Sequence, residues 1–274
     1  MSEHPIYAIL AELDIKYNPD VPFDRKEWQK QLMDEYNNSI GNLNEYDGYN
    51  CDVCHNKEFI EKIDENGYTV RKYCRCHKMR ETLRRARRSG LGNILTDFTF
   101  DKFIVSEDWQ KQNKEKAQAF CNDDGAKWFF IGGQVGCGKT HLCTAVCGHY
   151  IKAGKDVLYM LWNEEAKKLK ALVTENTEYQ RIIEKYKNAE VLYIDDFLKT
   201  KQGEEPTAGD INIAFEILNH RLYDRDKITI ISSEKTLIDI LGYDEATMSR
   251  VFQATGNYKI NVDRDLKKNY RLRG

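Results

Sequence analysis

The sequence predicts a three-layer α/β core with a mostly parallel sheet, preceded by a small cysteine-bearing module. Three observations carry this. From about residue 93, apolar strand-like runs alternate with helical patterns, the signature of a parallel sheet with helices on both faces. One strand-to-helix junction holds the glycine-rich run Gly133-Gln134-Val135-Gly136-Cys137-Gly138-Lys139-Thr140. Residues 46–88, by contrast, are short of aliphatics and carry two cysteine pairs and a basic stretch. The chain of 274 residues is long enough for one full domain plus a smaller module.

Taken in order, residues 1–45 form a polar N-terminal segment with Pro5, Pro19 and Pro22. Its start has neither a basic cluster nor an apolar stretch, so no secretory signal is expected. One helix is expected there: Asp24 and Glu27 have capping-box spacing, and Trp28, Leu32 and Tyr36 follow every fourth residue. Residues 46–88 form the next unit. Phe59–Ile63 and Tyr68–Tyr73 flank Asp64-Glu65-Asn66-Gly67, a hairpin signal. His77–Arg88 reads as a helix, and Ser89-Gly90-Leu91-Gly92 breaks it. The α/β domain then spans 93–274. Its expected strands are 127–132, 156–161, 190–194, 228–232 and 257–262. Its expected helices are 105–121, 140–153, 163–187, 210–224 and 244–252. Thr200–Gly209 is expected to be a mobile polar loop.

The run from Gly133 to Thr140 fits G-x-x-x-x-G-K-[ST], the phosphate-binding loop of P-loop NTPases. Glycines let the backbone turn its N–H groups toward a phosphate, and the following helix adds the positive end of its dipole. Lys139 can reach the β- and γ-phosphates, and the Thr140 hydroxyl can ligate Mg²⁺. The candidate nucleotide cradle is therefore Gly133, Gln134, Val135, Gly136, Cys137, Gly138, Lys139, Thr140 and His141. Strand 127–132 before it and helix 140–153 after it supply the context that the motif requires.

Val191-Leu192-Tyr193-Ile194-Asp195-Asp196 is an apolar run ending in two acids, a Walker B pattern. Such a strand delivers carboxylates to the edge where open α/β sheets bind ligands. Asp195 is assigned to Mg²⁺ and Asp196 to orienting or deprotonating the attacking water. The next apolar run ends in Ser232-Ser233-Glu234. Ser233 or Glu234 could sense the γ-phosphate, or the polar residues could simply close the strand.

Cys51-Asp52-Val53-Cys54 and Cys74-Arg75-Cys76 lie at the two ends of the expected hairpin. Four thiolates there would close a tetrahedral structural Zn²⁺ site, giving a zinc-ribbon-like knuckle. The C-x-C spacing is tight, so His55 or His77 could replace one cysteine; the other reading is four free thiols. So small a segment would draw folding free energy from the metal. Cys121, Cys137, Cys143 and Cys147 have no ligand spacing and read as small buried hydrophobes or loop residues.

Charge excludes less. The 42 basic and 44 acidic residues nearly balance, so there is no global case for nucleic acid or membrane. Locally, Arg71 to Arg88 holds nine basic residues against Glu81 alone. Such a helix could track a phosphate backbone, face an acidic partner or be solvated. No aromatic residue interleaves the arginines of the helical part, His77–Arg88, so base stacking by this helix is not supported. No apolar run approaches membrane-span length, and the eight cysteines suit a reducing cytoplasm.

Ile131-Gly-Gly-Gln-Val-Gly-Cys-Gly-Lys-Thr-His-Leu142, Leu192-Tyr-Ile-Asp-Asp-Phe197, Leu218-Asn-His-Arg-Leu-Tyr-Asp224, Ile231-Ser-Ser-Glu234 and Met248-Ser-Arg250 together resemble the DnaC/DnaI family of AAA+ helicase loaders. The resemblance covers roughly 90–274 and, more weakly, the cysteine-bearing segment. It implies an AAA+ P-loop NTPase core, ATP with Mg²⁺, a hexameric replicative DNA helicase as partner and single-stranded DNA as a second ligand. It places a γ-phosphate sensor near Ser233 and Glu234. It also implies that Arg250 is an arginine finger toward a neighbouring subunit, hence self-association; otherwise Arg250 is a solvated surface residue. Asp196 stands where most AAA+ proteins carry Glu, and Glu234 where the sensor is usually Asn. The expected activity is ATP-switched, slowly hydrolysing loading of helicase onto single-stranded DNA at replication initiation. The alternatives are an IstB-like transposition helper ATPase, a small-metabolite kinase, or a zinc adaptor with an inactive ATP site.

Overall fold

The structure, a computed structural model, describes residues 24–201 and 204–272. The chain divides into two compact units, one ending at Arg80 and the other beginning at Glu81. The N-terminal residues read above for proline content and signal character lie outside the described residues, as do 202 and 203 of the polar loop.

In the first unit, α1 (Arg25–Asn38) starts where the Asp24 carboxylate accepts the backbone N–H groups of Lys26 at 2.8 Å and Glu27 at 3.3 Å. Its C-terminal end is tied to the hairpin: the Asn37 side chain donates to the Glu61 carbonyl and accepts the Glu61 N–H, both at 2.9 Å. A short helix, α2 (Leu43–Asp47), follows. Strands β1 (Phe59–Ile63) and β2 (Thr69–Tyr73) pair antiparallel, with Phe59 opposite Tyr73. Asp64 folds the turn by accepting the N–H groups of Asn66 and Tyr68, the local bonding that suits Asp to turns.

Helix α3 (His77–Arg88) covers the later part of the basic stretch. Its face is less free than the sequence implied. Arg80 is fully buried; it is ion-paired with Asp47 and donates to the Tyr49 carbonyl and Asn56. Arg85 and Arg88 both reach Asp156. At least these three arginines serve the protein's own structure, so the phosphate-tracking reading keeps only part of the helix.

The second unit adds α4 (Ile94–Asp97), α5 (Asp108–Cys121), β3 (Trp128–Gly133), α6 (Lys139–Lys152), β4 (Val157–Leu161), α7 (Trp162–Ala171), α8 (Asn176–Asn188), β5 (Val191–Asp195), α9 (Ala208–Tyr223), β6 (Ile228–Ser233), α10 (Leu237–Leu241), α11 (Glu245–Thr255) and β7 (Lys259–Val262). The five strands are all parallel, in the order β4-β5-β6-β3-β7. Both sheet faces are apolar, which is why the strands read as continuous hydrophobic runs. Trp128, Phe130, Leu192, Ile194 and Ile231 pack on one face with α7, α8, α9 and α11. Phe129, Ile131, Val191, Tyr193 and Ile230 pack on the other with α5 and α6. This is the predicted three-layer α/β core.

Two expectations need correction. The helix expected over 163–187 is two helices. It stops at Leu172, whose N–H bonds back to the Lys168 and Leu169 carbonyls, and Val173 and Thr174, stiff at χ1, do not continue it. The loop expected to run to Gly209 ends earlier: Thr207 accepts the Asp210 N–H and starts α9 at Ala208.

Arg221, inside the family-like run Leu218–Asp224, is a structural clamp. It is fully buried and donates to the carbonyls of Tyr186, Lys187, Ala189 and Ile228 and to the Thr229 hydroxyl. Burial brings its pKa down to about 10, so it stays charged at neutral pH. Arg221→Met keeps much of the volume but leaves those acceptors unpaired. It is expected to cost about 3 kcal/mol, read as a lower chemical-unfolding midpoint; a loss below about 1 kcal/mol would show that the clamp is dispensable.

Candidate nucleotide site and cysteine cluster

β3 ends in the phosphate loop and α6 begins at its far side, with Gly138 as N-cap at φ +91°. A Cβ on Gly138 would lie 2.7 Å from the Phe103 ring, so close approach as well as the left-handed backbone demands glycine there. The Lys139 ammonium is buried and donates to the carbonyls of Gly133 at 3.0 Å and Gln134 at 2.8 Å. Burial lowers its pKa, opposed by Cys137, Glu234, Asp196 and Asp195.

β5 brings Asp195 to the same place. Its Oδ1 accepts the Thr140 hydroxyl at 3.3 Å, the Asp196 N–H at 3.1 Å and the Ser232 hydroxyl. Its Oδ2 accepts the Tyr159 hydroxyl at 3.1 Å. A hydroxyl from the phosphate loop and a carboxylate from the neighbouring strand edge thus meet, as an octahedral Mg²⁺ site with retained waters needs. Asp196 follows at φ +53°, a backbone that non-glycine residues seldom adopt. Lys199 bridges Asp196 at 2.9 Å and Glu234 at 2.8 Å.

These groups border a cavity of about 470 Å³, within the range of small-ligand sites. Its walls include Val135, Gly136, Gly138, Lys139, Thr140, His141, Asp196 and Glu234 among the expected residues. His141 Nε2–H donates to the Thr99 carbonyl at 2.7 Å, and the ring stacks on Phe98. Burial lowers its pKa.

Other expected residues are placed elsewhere. The Ser233 hydroxyl is buried and donates to the Phe197 carbonyl at 2.8 Å, so of the two sensor candidates it is Glu234 that lines the cavity. Arg250 lies on α11, donating to the Ala246 carbonyl and the Tyr223 hydroxyl, and is not a wall of this cavity. Cys137 is buried in the loop, and burial pushes its thiol up. Cys143 and Cys147 are buried in α6, as small hydrophobes.

Sequence reasoning missed Tyr159, Ser232 and Lys199. Tyr159 sits on β4 opposite Tyr193 of β5, two residues before Asp195, but strand order is not visible in the sequence. Phe98, Phe103, Tyr270 and Arg271 also line the cavity, from segments that carry no motif.

In the first unit, the sulfurs of Cys51, Cys54, Cys74 and Cys76 lie within 4.8 Å of one another, all buried. Cys51–Cys74 and Cys54–Cys76 are 3.7 and 3.6 Å apart, matching the about 3.8 Å edge of a tetrahedron with 2.3 Å Zn–S bonds. The Glu58 N–H donates to Cys54 Sγ at 3.3 Å. Burial pushes Cys76 up to about 12. Cys51 falls to about 7 because backbone N–H groups of Cys54 and Val53 outweigh its burial. So dense a thiol set ionises fully only around a cation, and the donors fit Zn²⁺. No histidine joins the cluster among the described residues; His77 Nδ1 faces the Glu58 carboxylate at 2.7 Å.

No helix among the described residues is long and apolar enough to cross a membrane. Residues 94–256 match the family described as the bacterial DnaA ATPase domain. The chain is 33% identical over 225 residues to the uncharacterized protein YqaM of Bacillus subtilis (strain 168), covering 77% of this chain and 70% of that protein. It is 30% identical over 144 residues to the chromosomal replication initiator protein DnaA of Nautilia profundicola, covering 52% of this chain and 31% of DnaA. The chain therefore spans about a third of that initiator's length. A crystal structure of the DnaC helicase loader superposes with a TM-score of 0.50 at 17% identity, covering 64% of this chain and all of that one; this likeness is one of fold. The resemblance read from the motifs thus agrees with the fold of a DnaC loader and with a replication ATPase family. The chain belongs to the bacterial DnaA ATPase-domain family, and its α/β unit has the AAA+ ATPase fold.

Proposed function

We propose that this chain is an ATP-switched loader of the replicative DNA helicase, placing it on single-stranded DNA at replication initiation. The observation that carries the reading is the meeting of Thr140 and Asp195 beside Lys139, in a chain of a DNA-replication ATPase family that also bears a four-cysteine cluster. Backbone N–H groups of the phosphate loop and the dipole of α6 would hold the β- and γ-phosphates, with Lys139 turning from the loop carbonyls to them. Mg²⁺ held by Thr140 and, through water, Asp195 would offset phosphate charge. Asp196 would orient or deprotonate the attacking water, and Glu234 would face the γ-phosphate. Lys199 grips both acids, so Asp196 must be released before it acts as a base. That, with its shorter side chain, supports slow turnover suited to a switch.

Arg250 is partly exposed on α11, free of its own chain's cavity, and is proposed to complete the site of a neighbouring copy. The zinc module, taken as residues 46–88, is proposed to grip the hexameric helicase. The deciding experiment is co-elution with the replicative helicase of the same genome, with and without ATP. ATP-dependent co-elution is expected; its absence with every helicase tested would leave a replication-type ATPase that is not a loader.

Lys139→Ala is expected to weaken ATP binding at least about tenfold, as loss of a charge-assisted bond to phosphate implies, while zinc content stays unchanged. Calorimetric titration and metal analysis check both, and undiminished affinity would remove Lys139 from the site. Chelating zinc is expected to unfold the cysteine module and abolish helicase co-elution while ATP binding persists. Co-elution that survives verified zinc loss would assign the contact elsewhere.

A further inference from the structure

A fully buried arginine stands beside the cysteine cluster. Arg80 lies near the start of α3, and its backbone N–H donates to the Cys76 carbonyl at 2.9 Å. Its guanidinium is ion-paired with Asp47 and donates to the Tyr49 carbonyl at 3.0 Å and to Asn56 Oδ1 at 3.1 Å. The same Asn56 oxygen accepts the Cys51 N–H at 2.8 Å. One residue therefore reaches both cysteine pairs, Cys76 through the start of its own helix and Cys51 through Asn56. Arg80 Nε is buried without a hydrogen-bond partner, on a guanidinium that interacts electrostatically with the Cys76 sulfur.

Four thiolates around one Zn²⁺ leave excess negative charge on the sulfurs. All four sulfurs here belong to buried residues, and buried charge is costly unless an opposite charge is held nearby. Arg71 and Arg75 do not meet that need: both side chains are more than half exposed, and they pair with Glu61 and Asp52, so water screens them. Arg80 is shielded from water, where a fixed charge acts most strongly. Its bonds to Asp47, Tyr49 and Asn56 hold the planar fork in place, which the flexible ammonium of lysine would match only in part.

We propose that Arg80 is a positioning residue of the metal centre, balancing the charge of the four thiolates and fixing the two cysteine pairs relative to each other, so that affinity for a thiolate-preferring divalent cation depends on it. The proposal rests on the zinc reading of the cluster. The buried pair of Arg80 and Asp47 then belongs to the metal centre and is more than a structural bridge between α2 and α3.

The test measures Zn²⁺ affinity of the full chain by competition with a chromophoric chelator, in the unaltered protein and in Arg80→Gln, Arg80→Lys, Asp47→Asn and Arg87→Gln. Arg87 is exposed on the same helix and serves as the control. Arg80→Gln is expected to weaken zinc binding about tenfold to hundredfold, the usual effect of removing a group that supports metal ligands. Arg80→Lys restores the charge without the fork and should recover part of that loss. Asp47→Asn breaks the ion pair but leaves the cation beside the sulfurs, so its loss should be smaller than that of Arg80→Gln. Arg87→Gln should match the unaltered protein. At saturation with Co²⁺, Arg80→Gln should show the same sulfur-to-metal absorption as the unaltered protein, because the ligand set persists while its affinity falls. Unchanged zinc affinity in Arg80→Gln, equal losses in Arg80→Gln and Arg80→Lys, a loss as large in Asp47→Asn or in Arg87→Gln, or an altered Co²⁺ spectrum each overturn the proposal while metal binding by the cysteines stands. An unaltered protein that takes up neither Zn²⁺ nor Co²⁺ under reducing conditions defeats the zinc reading itself, and this proposal with it.

Discussion

The Asp195 carboxylate is the constraint on which the α/β unit's site depends. A bare carboxylate at a buried strand end is costly unless donors surround it. Here the donors come from four different places: Thr140 of the phosphate loop, Tyr159 of β4, Ser232 of β6 and the backbone of Asp196. Each bond fixes one neighbour relative to β5. The strand order β4-β5-β6-β3 puts Tyr159 and Ser232 on the strands flanking Asp195. The sheet's architecture and the site's geometry are therefore one arrangement, and the acid that would meet a metal is positioned by the pairing of the sheet.

Much of this was legible in advance because it is periodic or local. The apolar runs of the sheet are continuous since both faces are buried, and Phe129 and Phe130 alternate between the two cores. The cap at Asp24 is read from neighbouring residues. The phosphate loop and Asp195 announce themselves by spacing. The four sulfurs converge as their placement at the ends of a hairpin implied, and His77 is engaged by Glu58 instead.

What was not legible depends on contacts between residues far apart in the chain. Lys199 binding both Asp196 and Glu234, Ser233 turning to Phe197, and Arg221 capping carbonyls from α8 and β6 all follow from the packed sheet. Charge runs misled for the same reason. Arg80 counts as a basic residue in the sequence, yet burial beside Asp47 makes it part of the cysteine unit's interior.

The two units draw stability from different sources. The α/β unit has two extensive apolar clusters, whereas among the described residues of the first unit the buried hydrophobic ones are the four cysteines, with Tyr49 and Ile60 packed beside them. A metal would supply there what the apolar core cannot. The central claim concerns the other unit, that Asp195 and Thr140 hold Mg²⁺ against a nucleotide at Lys139. ATP titrations with and without Mg²⁺, in the unaltered chain and in Asp195→Asn, address it most directly. Magnesium should strengthen ATP binding to the unaltered chain and have little effect on the variant; an identical magnesium response in both, or no ATP uptake at all, would contradict it.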